Sequence, residues 1–144
     1  MKTRYSSLVS VKKNTMQKSE RVVQNANRVL QDAQEALEKS LKDLQKITSP
    51  THGYISEFLA NRTLLDSQRA LIEHNKEWVS YAQQDLKRAQ EELKHDMIEY
   101  EKFKYLEVQE IQKLIKAQKL KEAKDLDEIA LMTFGTKTDK KKVS

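Results

Sequence analysis

Glu92-Leu93-Lys94-His95 is an E-x-x-H with Glu99 one turn further on, half of the pattern that carboxylate-bridged di-metal bundles use. A working centre needs a second such motif and two more inward glutamates from other helices. The remaining histidines, His52 and His74, do not supply them. These residues read as a solvated helix face in a glutamate-rich chain, and no metal ligand is assigned. Asn61-Arg62-Thr63 fits the glycosylation sequon but has no meaning in a helix of a cytosolic chain. Cys 0 removes disulfides, thiolate metal sites and cysteine nucleophiles together, and Gly 2 is too few for a phosphate-binding loop. No shielded acid–base pair or activated nucleophile is left, so the expectation is a non-enzyme with no catalytic residue and no cofactor.

The elements that carry these residues are long helices. Phe58, Leu65, Ile72, Val79, Leu86, Leu93 and Tyr100 place a large apolar residue at every seventh position, the repeat of a coiled coil. The first third of the chain has a matching series in Val9, Met16, Val23, Leu30, Leu37 and Leu44. If the chain folds back near residue 51, one antiparallel register sets Val9 opposite Leu93, Met16 opposite Leu86, Val23 opposite Val79, Leu30 opposite Ile72, Leu37 opposite Leu65 and Leu44 opposite Phe58. Ser19, Ala26, Ala33 and Ser40 lie between the large residues of the first series, again seven apart, and small side chains there let two helices approach closely.

Composition agrees with an all-α chain. Gly 2 and Pro 1 leave little turn material, and both Pro50 and Gly53 stand in Thr48-Ser49-Pro50-Thr51-His52-Gly53, where the fold-back is required. The reading is helix 1 over about 6–47, a turn over 48–55 and helix 2 over about 56–134, with Ser56 as its N-cap or Ser49-Pro50 capping an earlier start. Together they form a single antiparallel coiled-coil domain over 1–136, ending near Phe134-Gly135, with a basic flexible tail over 137–144. Charged residues at 34% and a mean hydropathy of −0.82 suit helices that bury only a stripe. No apolar run is long enough for a membrane span or a signal peptide.

The net charge of +5 is unevenly spread. Lys2, Arg4, Lys12, Lys13 and Lys18 stand in the first nineteen residues without an acid, and Lys137, Lys140, Lys141 and Lys142 oppose Asp139 alone at the other end. The body between is therefore net acidic, which argues against a nucleic-acid groove along it. In the expected register helix 1 runs out near Tyr100, leaving Phe103, Tyr105, Val108, Ile111, Leu114 and Ile115 without an intrachain mate. Such a stripe marks a contact surface, self-association or a helix that bends back on itself. Leu64, Leu71 and Trp78 are either a second surface or a widening of the core against Val22, Val29 and Ala36.

Three features together resemble the FliJ family of the bacterial flagellar type III export apparatus. They are the N-terminal run Tyr5-Ser-Ser-Leu8-Val9-Ser-Val11-Lys12-Lys13, the heptad hairpin, and the closing run Lys121-Glu122-Ala-Lys124-Asp125-Leu126-Asp127-Glu128-Ile129-Ala130. The resemblance implies a two-helix coiled-coil hairpin similar to the central stalk of rotary ATPases. It implies a non-catalytic subunit that enters and stimulates the hexameric flagellar export ATPase, contacts the cytoplasmic domain of the export-gate membrane protein, and escorts substrate-specific export chaperones. By resemblance, the ring contacts fall on Tyr5, Leu8, Lys12, Lys13, Glu122, Lys124, Asp127 and Glu128. The gate contacts fall on Leu64, Leu65, Gln68, Leu71, Ile72 and Asn75. The implied location is cytoplasmic, at the cytoplasmic face of the inner membrane at the flagellar base, with no membrane insertion and no nucleic acid. Two other readings stay open: an export chaperone or escort without effect on the ATPase, binding through Tyr105, Val108, Ile111 and Ile115, and a structural coiled coil that self-associates.

Overall fold

A computed structural model describes residues 2–143, with side chains through Gly135. It contains two helices, α1 (Ser6–Lys46) and α2 (Ile55–Val143), packed against each other as a helical hairpin. The expected basic tail over 137–144 lies outside the residues described with side chains. Among the described residues no helix is long and apolar enough to cross a membrane. Contacts gather in two units, Lys13–Ile98 and Met1–Lys12 with Glu99–Ser144.

The entry to α1 is held by short polar links. The Thr3 amide donates to Ser6 Oγ at 2.8 Å, the Tyr5 amide to Thr3 Oγ1 at 3.1 Å and the Ser6 amide to the Thr3 carbonyl at 3.1 Å. This reciprocal pattern occupies donors that the first turn otherwise leaves unpaired, with Ser6 in the place where a capping box usually carries Glu or Gln. At α2 the Tyr54 carbonyl accepts the Glu57 amide at 2.9 Å, so the helix opens at Ile55 rather than after a Ser56 cap. Gly53 stands before it at φ +145, a conformation that a residue with Cβ rarely adopts.

Within Lys13–Ile98 the two helices meet through small side chains. On α1, Ser19, Ala26, Ala33 and Ser40 are buried, with Ala33 fully so, while Met16, Val23, Leu30, Leu37 and Leu44 flank them half-buried. On α2 the buried residues are Ile72, Asn75, Ala82 and Ala89; Leu65, Val79, Leu86 and Leu93 are half-buried. The sequence reading caught the small series of α1 but missed Asn75, Ala82, Ala89 and Asp96, its counterpart at the same spacing on α2. Facing small residues permit axes near the short end of the roughly 8–10 Å range for packed helices.

The register differs from the expected one by two heptads. Asn75 Nδ2 donates to Ser40 Oγ at 3.2 Å and to the Ala36 carbonyl at 3.2 Å. Further along, the Ser19 hydroxyl donates to the Asp96 carboxylate. These two contacts lie in one common alignment, which sets Ala33 beside Ala82 and Ala26 beside Ala89. The large residues then fall as Val23 with Leu93, Leu30 with Leu86, Leu37 with Val79 and Leu44 with Ile72. A heptad pattern looks the same after a slip of seven residues, so large-on-large pairing could not choose between the two alignments. Polar layers do choose. In the expected register Asn75 would face Ala26 and Ser19 would face Ala82, so both register-specific side-chain bonds would be lost, and an unpaired buried polar group costs roughly 1–3 kcal/mol. In the observed one Gln68 Nε2 donates to the Ser40 carbonyl at 2.8 Å, and Ser40 Oγ donates to the Leu37 carbonyl at 2.8 Å. No buried side-chain polar atom lacks a partner among the described residues.

The slip leaves the first turns of α2 past the end of α1. Phe58, expected opposite Leu44 in the seam, is 44% exposed, with Ile55 and Leu59 more so. Eight residues, 47–54, must return along this overhang. Its rise of roughly 22 Å is close to the roughly 27 Å that eight extended residues can reach. The connection therefore runs without helix or strand instead of turning tightly.

In the unit of Met1–Lys12 with Glu99–Ser144, α1 lies beside residues 99–111 of α2. Lys12 Nζ is 3.8 Å from a Glu99 carboxylate oxygen and 5.5 Å from the centre of the Phe103 ring, and Arg4 reaches Glu110 at 3.7 Å. Val9, Tyr100, Phe103, Leu106 and Ile111 are half-buried there. Phe103 and Ile111, expected to be unmated, are covered in part because the two-heptad slip carries the start of α1 that much further along α2.

Candidate functional site

Among the described residues the grooves between and along the helices are shallow and open, so the candidate sites are taken as surfaces. The first is the start of α1 with the adjoining part of α2. Tyr5 is half-buried with the Arg4 guanidinium 5.0 Å from its ring centre, and Leu8 is 42% exposed. Lys12 is half-buried and engaged by Glu99 and Phe103, which fixes its ammonium over α2 rather than leaving it to swing in solvent. Lys13, an exposed residue, belongs to the other unit.

Glu122, Lys124, Asp127 and Glu128 are exposed on α2 beyond the reach of α1. Among the described residues the last cross-helix ion pair is at Glu110, and the helical rise from there to Glu122 is roughly 18 Å. The structure therefore does not bring these four residues into one cluster with Tyr5, Leu8 and Lys12. All of residues 112–135 are exposed, including Leu120, Leu126, Ile129 and Leu131.

A second surface lies on α2 within Lys13–Ile98. Leu64, Leu71 and Trp78, for which core and surface readings were both open, are 53%, 45% and 36% exposed and so belong to the surface. His74, Glu77, Trp78 and Tyr81 line a shallow groove beside them. Tyr81 was not anticipated; it lies three residues after Trp78, on the same side of the helix, and that spacing was the available signal. The six residues assigned to the gate by resemblance separate here. Leu64 and Leu71 are exposed and Leu65 is half-buried, whereas Ile72 and Asn75 are buried and Gln68 is bonded to the backbone of α1. Burial removes Ile72 and Asn75 from direct contact with any partner of the intact hairpin.

The third surface is the exposed part of the stripe after Tyr100. Tyr105 is 62% and Val108 46% exposed, and the Tyr105 hydroxyl accepts a hydrogen bond from Gln109 Nε2 at 2.7 Å. Leu114 and Ile115 continue it at 41% and 38%. Glu92 and His95 are exposed, and no group of three possible metal-ligating side chains occurs among the described residues.

A family model described as flagellar FliJ protein matches residues 1–139 of the chain. No curated protein and no solved structure matches it.

Proposed function

The chain belongs to the FliJ family of flagellar proteins, and from that premise we propose that it is the stalk-like coupling subunit of the flagellar export ATPase. Family membership makes it a non-catalytic component associated with the flagellar export machinery. The finer role rests on one observation, a family match over nearly the whole chain joined to an antiparallel helical hairpin. A hairpin entering a ring can touch several ring subunits at once. Binding energy shared among them favours the assembled hexamer by mass action, and a bias among subunit conformations raises turnover without chemistry in the stalk.

Exposure divides the proposed contacts. Tyr5 and Leu8 near the start of α1, and Glu122, Lys124, Asp127 and Glu128 on α2, present side chains to a ring; Lys13 is a further charge available to it. Lys12 acts there as a positioned cation. For the export gate the proposed surface is Leu64 and Leu71, extended to Trp78 and Tyr81, with Gln68, Ile72 and Asn75 holding the helix beneath it.

The test is the ATP hydrolysis rate and oligomer size of the cognate export ATPase with and without this protein. A higher rate with a shift to hexamer supports the stalk reading. Reversing charge at Lys12 and Lys13 together with Asp127 and Glu128 then weakens stimulation while helicity by circular dichroism is unchanged. No rise with a competent ATPase overturns it in favour of an escort for export chaperones, a reading that the exposed Tyr105 and Val108 would serve.

A further inference from the structure

Residues 112–129, about five turns of helix, are exposed throughout. Helical stability in water comes mostly from packing an apolar face, so a stretch of this kind gains from whatever covers it. Its charges say what fits. Lys113, Lys116, Lys119, Lys121 and Lys124 against Glu122 make the first half basic, and Asp125, Asp127 and Glu128 make the second half acidic, with no cation through Gly135. A helix with this division is complementary to a copy of itself laid antiparallel and repels one laid parallel.

The apolar residues follow the same symmetry. Ile111, Ile115, Lys119, Glu122, Leu126 and Ile129 succeed one another at intervals of three and four, so they share one side of the helix. Ile115 is 38%, Leu126 66% and Ile129 58% exposed; Ile111 is half-buried. Turning a second copy end for end about a point near Leu120 sets Ile115 against Leu126 and Ile111 against Ile129, each twice. The same rotation brings Lys119 to Glu122, and Lys116 within reach of Asp127. This is the isologous contact of a two-fold dimer, with a charged centre that penalises slipped alignments.

We propose that two copies of this chain pair antiparallel through residues 111–129 of α2. The pair covers Glu122 to Glu128, part of the stretch assigned above to the ATPase ring, so paired chains are held off the ring. Exclusion from the ring rests on the stalk reading, whereas the pairing does not.

Because the chain has no cysteine of its own, the alignment can be read by disulfide formation in full-length protein. Ile115→Cys and Leu126→Cys chains, mixed and mildly oxidised, should give a cross-linked species of twice the chain mass. Neither alone should do so. Cross-linking within each variant alone would show parallel pairing and overturn the proposal, as would no cross-link in the mixture. Sedimentation velocity of the unmodified chain should show its mass doubling as concentration rises, and a single-chain mass throughout would overturn the pairing. Lys116→Glu with Lys119→Glu should abolish the doubling, and mixing with Glu122→Lys/Asp127→Lys protein should restore it. The oxidised pair should fail to stimulate the ATPase and regain stimulation on reduction. If neither form stimulates, the stalk reading fails while the cross-link still reports the pairing.

Discussion

The stretch of α2 from Asn75 to Asp96 and the stretch from Gln112 to Gly135 belong to one helix and differ in almost everything that packing requires. The first repeats a small or polar residue every seventh place and is locked to α1 by Asn75 with Ser40 and by Asp96 with Ser19. The second has large apolar residues, Leu120, Leu126 and Ile129 among them, and leaves them in water. Hydrophobicity alone would rank them the other way. Close approach of two helices is favoured by side chains that leave room for the partner's backbone, and a stripe of leucines becomes a core only when an element lies beside it.

Charge in the seam should disrupt the locked stretch most. Leu37→Asp sets a carboxylate beside Val79 and should cost several kcal/mol, on the order of 3, read as a large fall in the melting temperature by circular dichroism. Next, Ala33 is fully buried where Ala82 faces it. Ala33→Leu has no room without separating the helices and should cost about 1–3 kcal/mol in the same melt. If it is tolerated without loss, the small-residue alignment is wrong. Cysteines at Ala26 and Ala89 should close an intrachain disulfide, while cysteines at Leu30 and Ile72, partners only in the two-heptad alternative, should not.

Asn75→Ala should be milder, about 1–2 kcal/mol, since it frees the Ala36 carbonyl and one acceptor on Ser40 without opening a large void. A double-mutant cycle with Ser40→Ala should return a coupling of about 0.5 kcal/mol or more, and additivity would remove the proposed pin. Smallest of all, Leu126→Asp in the exposed stretch should change the melt of dilute protein by less than about 0.5 kcal/mol, because that side chain is largely exposed. A drop as large as that of Leu37→Asp would mean that this stretch is covered within the monomer.

Much of the hairpin was legible in the residues themselves. The two heptad series named the facing sides of both helices, and Pro50 with Gly53 located the reversal to within a residue at each helix end. The candidate surfaces were legible in part. Leu64, Leu71 and Trp78 could be named, but their exposure depended on how far α1 reaches. Pairing large residues alone leaves Phe103 unmated and puts Phe58 in the seam, because it does not distinguish alignments two heptads apart. Asn75 and Gln68 looked like contact residues in a surface row, whereas they bind α1.

Residue order thus determined helix content, the apolar and small faces, the reversal and the split of charge along the end of α2, all of which are local or periodic properties. Alignment of the two helices belonged to the tertiary structure. A repeat of seven is unchanged by a slip of seven, so the apolar pattern is degenerate. Only side chains with few acceptable partners, the Asn75 amide at Ser40 and the Ser19 hydroxyl at Asp96, distinguish one alignment from the next, because a buried donor must find an acceptor where a leucine needs only another apolar surface.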